Sequence, residues 1–141
     1  MSIGFSSNFF QKRRFTEKEI SRYLKSAVRD FEIASKNKEP EVVFSFSYFA
    51  LIKIGIILIA SCGYRVKSRM GHHMRILEKM SEILDDEDAG VIGDKMRSKR
   101  NSDLYERGVL ITQKESKYYL DFIERLIYRT EKYLKSQGSL F

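Results

Sequence analysis

VVFSFSYFALIKIGIILIASCGYR, residues 42–65, is apolar for nearly the length a helix needs to cross a bilayer, about 20 residues. Lys53 stands near its centre, where an unpaired ammonium in hydrocarbon costs roughly 2.5–3.5 kcal/mol, and Ser45, Ser47 and Ser61 dilute the run further. These polar groups favour the middle of a helical bundle over a membrane span, so the expectation is a helix buried on most of its sides, with no membrane partner. Lys53 should then reach the edge of the bundle or an acidic side chain, because burying it unpaired is expensive.

Helix signals flank this stretch on both sides. Upstream, TEKE at residues 16–19 is a capping box, and Ile20, Leu24, Ala27, Val28, Phe31 and Ala34 follow at spacings of three and four. Pro40 ends that helix and suits the first turn of the next, while Gly63 is suited to terminate the apolar helix just after Cys62. Downstream, Met74, Leu77, Met80, Ile83 and Leu84 mark a third helix. A fourth begins near Asp88, with Val91, Ile92, Met96 and Leu104 inward. TQKE at residues 112–115 opens the longest, with Tyr119, Phe122, Ile123, Leu126, Ile127 and Leu134 inward. One proline, eight glycines and no alternating apolar–polar run leave no call for a sheet. The pattern predicts an all-α, antiparallel up-down bundle of about four or five helices. Residues 1–14 read as a loose arm and 15–138 as a single domain.

Composition narrows the function classes. With 141 residues, 43% hydrophobic and 32% charged, the chain is long enough for one ordinary core. Cys62 is the only cysteine, which excludes an intrachain disulfide and fits a reducing cytoplasm. The N-terminal MSIGFSSNFFQKRRF places its basic residues after its apolar ones, the reverse of a secretory signal. A net charge of +7, from 26 Lys and Arg against 19 Asp and Glu, favours phosphate-bearing or acidic partners.

The chemistry concentrates in DKMRSKRNSDLYERG, residues 94–108. On a helix Arg97, Asn101 and Tyr105 share one face, and Arg100, Asp103 and Arg107 line a neighbouring one, with Lys95 and Lys99 adding positive charge. A guanidinium fork beside an amide and a phenol suits holding a phosphate and meeting a base. The alternative is a solvated basic face with intrahelical Arg–Asp pairs. His72 and His73, the only histidines, read as a polar helix start, because neighbours on a helix point about 100° apart. A second reading brings one of them across the bundle as a base, or sets both at a phosphate-binding helix start with Arg65, Lys67 and Arg69. No metal or cofactor is expected, since one Cys and two adjacent His do not supply a zinc ligand set. Met70, Met74, Met80 and the tyrosines of the last helix read as packing.

In the order of its features the chain resembles the HEPN superfamily of small helical-bundle proteins. The likeness runs from about Thr16 to Lys135 and rests on AVRDFEIA in the first helix, SYFAL in the second, the GYRVKSRMGHH connector and RNSDLY. It implies an RNA- or nucleotide-binding domain, a homodimer with Arg100 near its two-fold interface, and a toxin-like role beside a minimal nucleotidyltransferase antitoxin. HEPN ribonucleases act without metal, using an Arg and a His a short distance after it. Arg100 and Asn101 match the start of that motif, but Tyr105 stands where the His is expected. A phenol titrates near about 10 and an imidazole near about 6.5, so Tyr105 would donate a proton or orient a phosphate but serve poorly as a base. Catalysis through Arg100 and Tyr105 is thus a degenerate endoribonuclease at most, while phosphate or nucleotide binding through Arg100 survives the change, with Asn101 and Tyr105 positioning it, Asp103 orienting Arg100 or Arg107, and Arg97, Lys99 and Arg107 completing the expected nucleic-acid site. The rival from another class is a non-catalytic interaction or dimerisation module with a basic surface.

Overall fold

The computed structural model describes residues 3–101 and 111–138. Thr16 caps α1 (Glu17–Lys36): its hydroxyl accepts from the Glu19 amide at 3.1 Å, and the Glu19 carboxylate accepts from the Thr16 amide at 3.0 Å. Ile20, Leu24, Ala27 and Ala34 are buried, and Val28 and Phe31 flank that stripe. Pro40 occupies the first turn of α2 (Pro40–Ser61), and Gly63, at φ 83°, turns the chain away after the Cys62 cap.

α2 is the apolar run. It packs against α1, α3 and α5, and Phe44, Tyr48, Leu51, Ile54, Leu58 and Ile59 are almost wholly shielded. The helix is long and apolar enough to cross a membrane, yet two-thirds of its most apolar window is covered by the rest of the bundle. Lys53 finds the acidic partner its position calls for: Nζ lies 2.6 Å from Asp30 Oδ2 on α1 and donates to Ser26 Oγ at 2.8 Å.

One element escapes the sequence pattern. β1 (Phe10–Lys12) pairs antiparallel with β2 (Tyr64–Val66), setting Phe10 opposite Val66, Gln11 opposite Arg65 and Lys12 opposite Tyr64. Three residues per strand are too few to show alternation. The segment expected to be a loose arm is therefore docked in its described part. Phe10 is 5% exposed, and the Phe5 ring stacks on Tyr64 with centroids 4.0 Å apart. Lys79 secures it from below, donating to the Gly4 carbonyl at 2.5 Å with its ammonium under the Phe5 and Phe10 rings.

α3 (His72–Leu84) starts after left-handed Gly71 and stops at left-handed Asp85. The Asp86 carboxylate then accepts from the Ala89 amide to begin α4 (Glu87–Lys99), and Arg129 bridges Asp86 and the Leu84 carbonyl. A second capping box at Thr112 and Glu115 begins α5 (Gln113–Ser136), whose Phe122, Ile123, Leu126 and Leu134 are buried as expected. Five positions assigned to packing are exposed instead: Met70, Met74 at 38%, Val91 at 54%, and Tyr118 and Tyr128 on the last helix. α4 meets α3 on its small residues, with Ser81 against Gly90 and Leu77 against Gly93, and that close approach turns Val91 outward. Leu104 lies outside the described residues. The result is the all-α bundle expected, with five helices among the described residues and α2 at its centre.

Gly55 marks the closest approach of α2 and α3, because a Cβ there would overlap Ile76 Cγ2. Gly55→Ala is expected to destabilise the fold by about 1–2 kcal/mol, overpacking exceeding the gain in helix propensity. Adding Ile76→Leu, which removes the branched methyl, should restore part of that loss in a urea titration. Equal stability of parent and Gly55→Ala would mean the helices sit farther apart.

Candidate functional site

A phenol inside an apolar helix must find a partner for its hydroxyl. Tyr48 is 1% exposed on α2, and its Oη lies 2.9 Å from Nδ1 of His73 in the first turn of α3. The Arg100 guanidinium, where α4 ends, sits 5.0 Å from the Tyr48 ring centroid, and its charge acts on the phenol. Arg100 and Asn101 lie in a widened, π-type turn that continues α4. Three helices thus bring a phenol, an imidazole and a guanidinium to one place.

The electrostatics define what these groups can do. Burial, then electrostatic interaction with His72, Arg100 and Arg97, pulls His73 down from 6.5 to about 4, so the ring is neutral at pH 7. Burial raises the Tyr48 phenol, opposed by Arg100 and Arg97, and it stays protonated. Tyr48 Oη and His73 Nδ1 share one hydrogen bond, whose direction is set by the imidazole tautomer. With the phenol donating to Nδ1, the imidazole N–H lies on Nε2. Two guanidiniums beside a neutral N–H donor form an anion-binding set. An imidazole near pKa 4 is a weak base at neutral pH.

This arrangement has a pH signature. His73 is harder to protonate folded than unfolded, so its contribution to stability is complete above about pH 6.5 and is lost as pH falls towards 4. The His73 ring resonances should titrate with a midpoint near pH 4 by NMR. A midpoint near 6.5 would place the ring in water.

The other expected site residues divide. Arg97 joins the cluster electrostatically while its Nε donates to Asp94 Oδ1 at 2.9 Å, and Asn101 is exposed at the turn. Lys99 is directed elsewhere: its ammonium lies 3.0 Å from Glu115 Oε2 and pins the end of α4 to the start of α5. Asp103, Tyr105 and Arg107 fall outside the described residues. His72 keeps the reading of a polar helix start, with Nδ1 2.9 Å from the Arg69 carbonyl oxygen. His73 does not. Adjacent positions diverge on α3, and the second imidazole is the one aimed at α2.

Sequence reasoning missed Tyr48. Its signal was the one phenol in an otherwise apolar helix, a polar tip whose partner had to come from another element. A groove of about 760 Å³ between α3 and α4 is a different place; Glu78, Glu82, Glu87 and Asp94 on its walls repel phosphate. Comparison with protein-family models, curated proteins and solved structures finds no match.

Proposed function

We propose that this chain is a HEPN-like helical domain that binds RNA or a nucleotide through phosphate, held by Arg100 and Arg97 with the His73 Nε2–H as a third donor. The observation that carries it is the convergence of Arg100 and His73 on Tyr48 from three separate helices. A solvated basic face would not need a buried phenol to orient its arginine. The neutral, weakly basic His73 favours binding over cleavage. The proposed setting is cytoplasmic, as a homodimer and as the toxin-like, degenerate half of a pair with a nucleotidyltransferase-type antitoxin. A specific observation also supports the rival interaction module: exposed Met74 and Val91 line the acidic groove.

The test is an RNA binding and cleavage assay on the purified protein. Binding without metal-independent cleavage fits the reading. Tyr105→His, restoring the motif His, should keep binding and raise cleavage. Absence of RNA and nucleotide binding at low salt would leave the interaction module.

A further inference from the structure

The chain's excess charge is not spread over its surface. Residues 1–16 and 62–77 contain Lys12, Arg13, Arg14, Arg65, Lys67, Arg69 and Arg75 and no carboxylate. Those seven cations equal the whole formal net charge of +7, so the remaining sequence is balanced. The fold pairs Phe10–Lys12 with Tyr64–Val66, which brings Lys12 and Arg65 into one ribbon with Arg13, Arg14 and Lys67 next to it in sequence.

Arg13 is held by Glu19 at 2.9 Å, and Arg75 lies over the Phe9 ring near Glu78. Among the described residues no carboxylate lies within 4.0 Å of Lys12, Arg14, Arg65, Lys67 or Arg69. Lys12, Lys67 and Arg69 line a recess of about 540 Å³ with the stacked Phe5 and Tyr64 rings in its wall. Lys67 is braced there by its bond to the Ser7 carbonyl at 2.7 Å.

A short series of contacts separates the recess from the Tyr48 cluster. The Arg69 carbonyl meets His72 at 2.9 Å, the two imidazole centroids are 4.6 Å apart, and His73 meets Tyr48 beneath Arg100. We infer that the ligand is a single strand of RNA long enough to span both places, one phosphate at Arg100 and neighbouring phosphates at Lys12, Lys67 and Arg69. The inference rests on the reading of Arg100 as a phosphate ligand and extends it from nucleotide to polynucleotide. A mononucleotide reaches one of the two places and a strand reaches both, which gives the ribbon its use.

The test compares uridine monophosphate with a long uridine oligonucleotide on the full chain, by calorimetry and by fluorescence anisotropy. Lys12→Gln with Arg69→Gln changes exposed side chains, so the fold should stay intact by circular dichroism. This double variant should bind the oligonucleotide about ten-fold more weakly, with its log–log salt slope shallower by about 1.4, and bind the monophosphate as the parent does. Arg100→Ala should weaken both ligands. An unchanged oligonucleotide affinity and salt slope in the double variant would overturn the spanning strand, while loss of monophosphate binding in Arg100→Ala would still uphold the Arg100 site. Full monophosphate and oligonucleotide binding by Arg100→Ala would overturn both. Ribbon-dependent capture of phosphatidylserine vesicles, with no oligonucleotide bound, would also overturn the inference and assign the ribbon to a lipid surface.

Discussion

Arg100→Ala should weaken RNA or nucleotide binding by about ten-fold or more, since a hydrogen bond to a charged group is worth roughly 1.5–3 kcal/mol. Arg100→Lys should fall most of the way too. It keeps the charge but loses the planar fork that can grip a phosphate while lying over the Tyr48 ring. Lys99→Ala should do less to affinity, because its ammonium is engaged by Glu115. Its effect belongs in stability, at the junction of α4 and α5. A parallel loss in Tyr48→Phe, which keeps the ring under Arg100 but removes the hydroxyl bonded to His73, would show that the phenol–imidazole bond supports the site. Equal binding by the parent, Arg100→Lys and Arg100→Ala at matched low salt would return RNSDLY to a solvated helix face.

The largest effect on stability is expected at Lys53. Asp30 is 5% exposed, and its carboxylate faces the Lys53 ammonium at 2.6 Å. Removing one member of a fully buried pair costs about 3–5 kcal/mol, because the other charge is left without compensation. The Lys53 side chain is 38% exposed, and water screens part of that loss. Lys53→Ala should therefore destabilise by about 2–4 kcal/mol, a fall in Tm of roughly 10 °C for a domain of this size. Replacing both partners, as in Asp30→Leu with Lys53→Met, should recover most of the stability, because no charge then remains buried. A single variant as stable as the parent would show that solvent reaches Asp30 freely.

The central helix was legible in its residues for a physical reason. A run apolar around nearly its whole circumference can be covered only from several sides, and its one lysine had to reach an acid; Asp30 supplies it. Both capping boxes were equally legible, because their bonds are local and depend on Thr–x–x–Glu spacing alone. The β1–β2 ribbon was not. Its strands are separated by the whole of α1 and α2, and Phe10 is buried by tertiary contacts that no short window contains. The outward turn of Val91 was hidden for a related reason. Spacing marks an apolar stripe, but the close approach at Gly90 and Gly93 selected the small-residue face instead.

The candidate site was half legible. Arg97 and Arg100 stood out by charge density, and Arg100 with Asn101 by resemblance to a motif. Lys99 looked equivalent in sequence, but one further step around the helix brings it to Glu115 rather than to Tyr48. His73 looked equivalent to His72, and only the crossing of α3 over α2 distinguishes the ring that meets the phenol from the ring that meets a backbone carbonyl. Neither distinction exists in one dimension.

The most direct measurement is an NMR titration of protein carrying nitrogen-15 in its histidine rings and arginine side chains, with a uridine ribonucleotide added at low salt. Phosphate held at the Tyr48 cluster should shift the His73 Nε2 and Arg100 Nε resonances together and saturably, while His73→Asn weakens binding and moves the Arg100 shift to higher ligand concentration. Saturable binding that leaves both resonances in place would contradict the account.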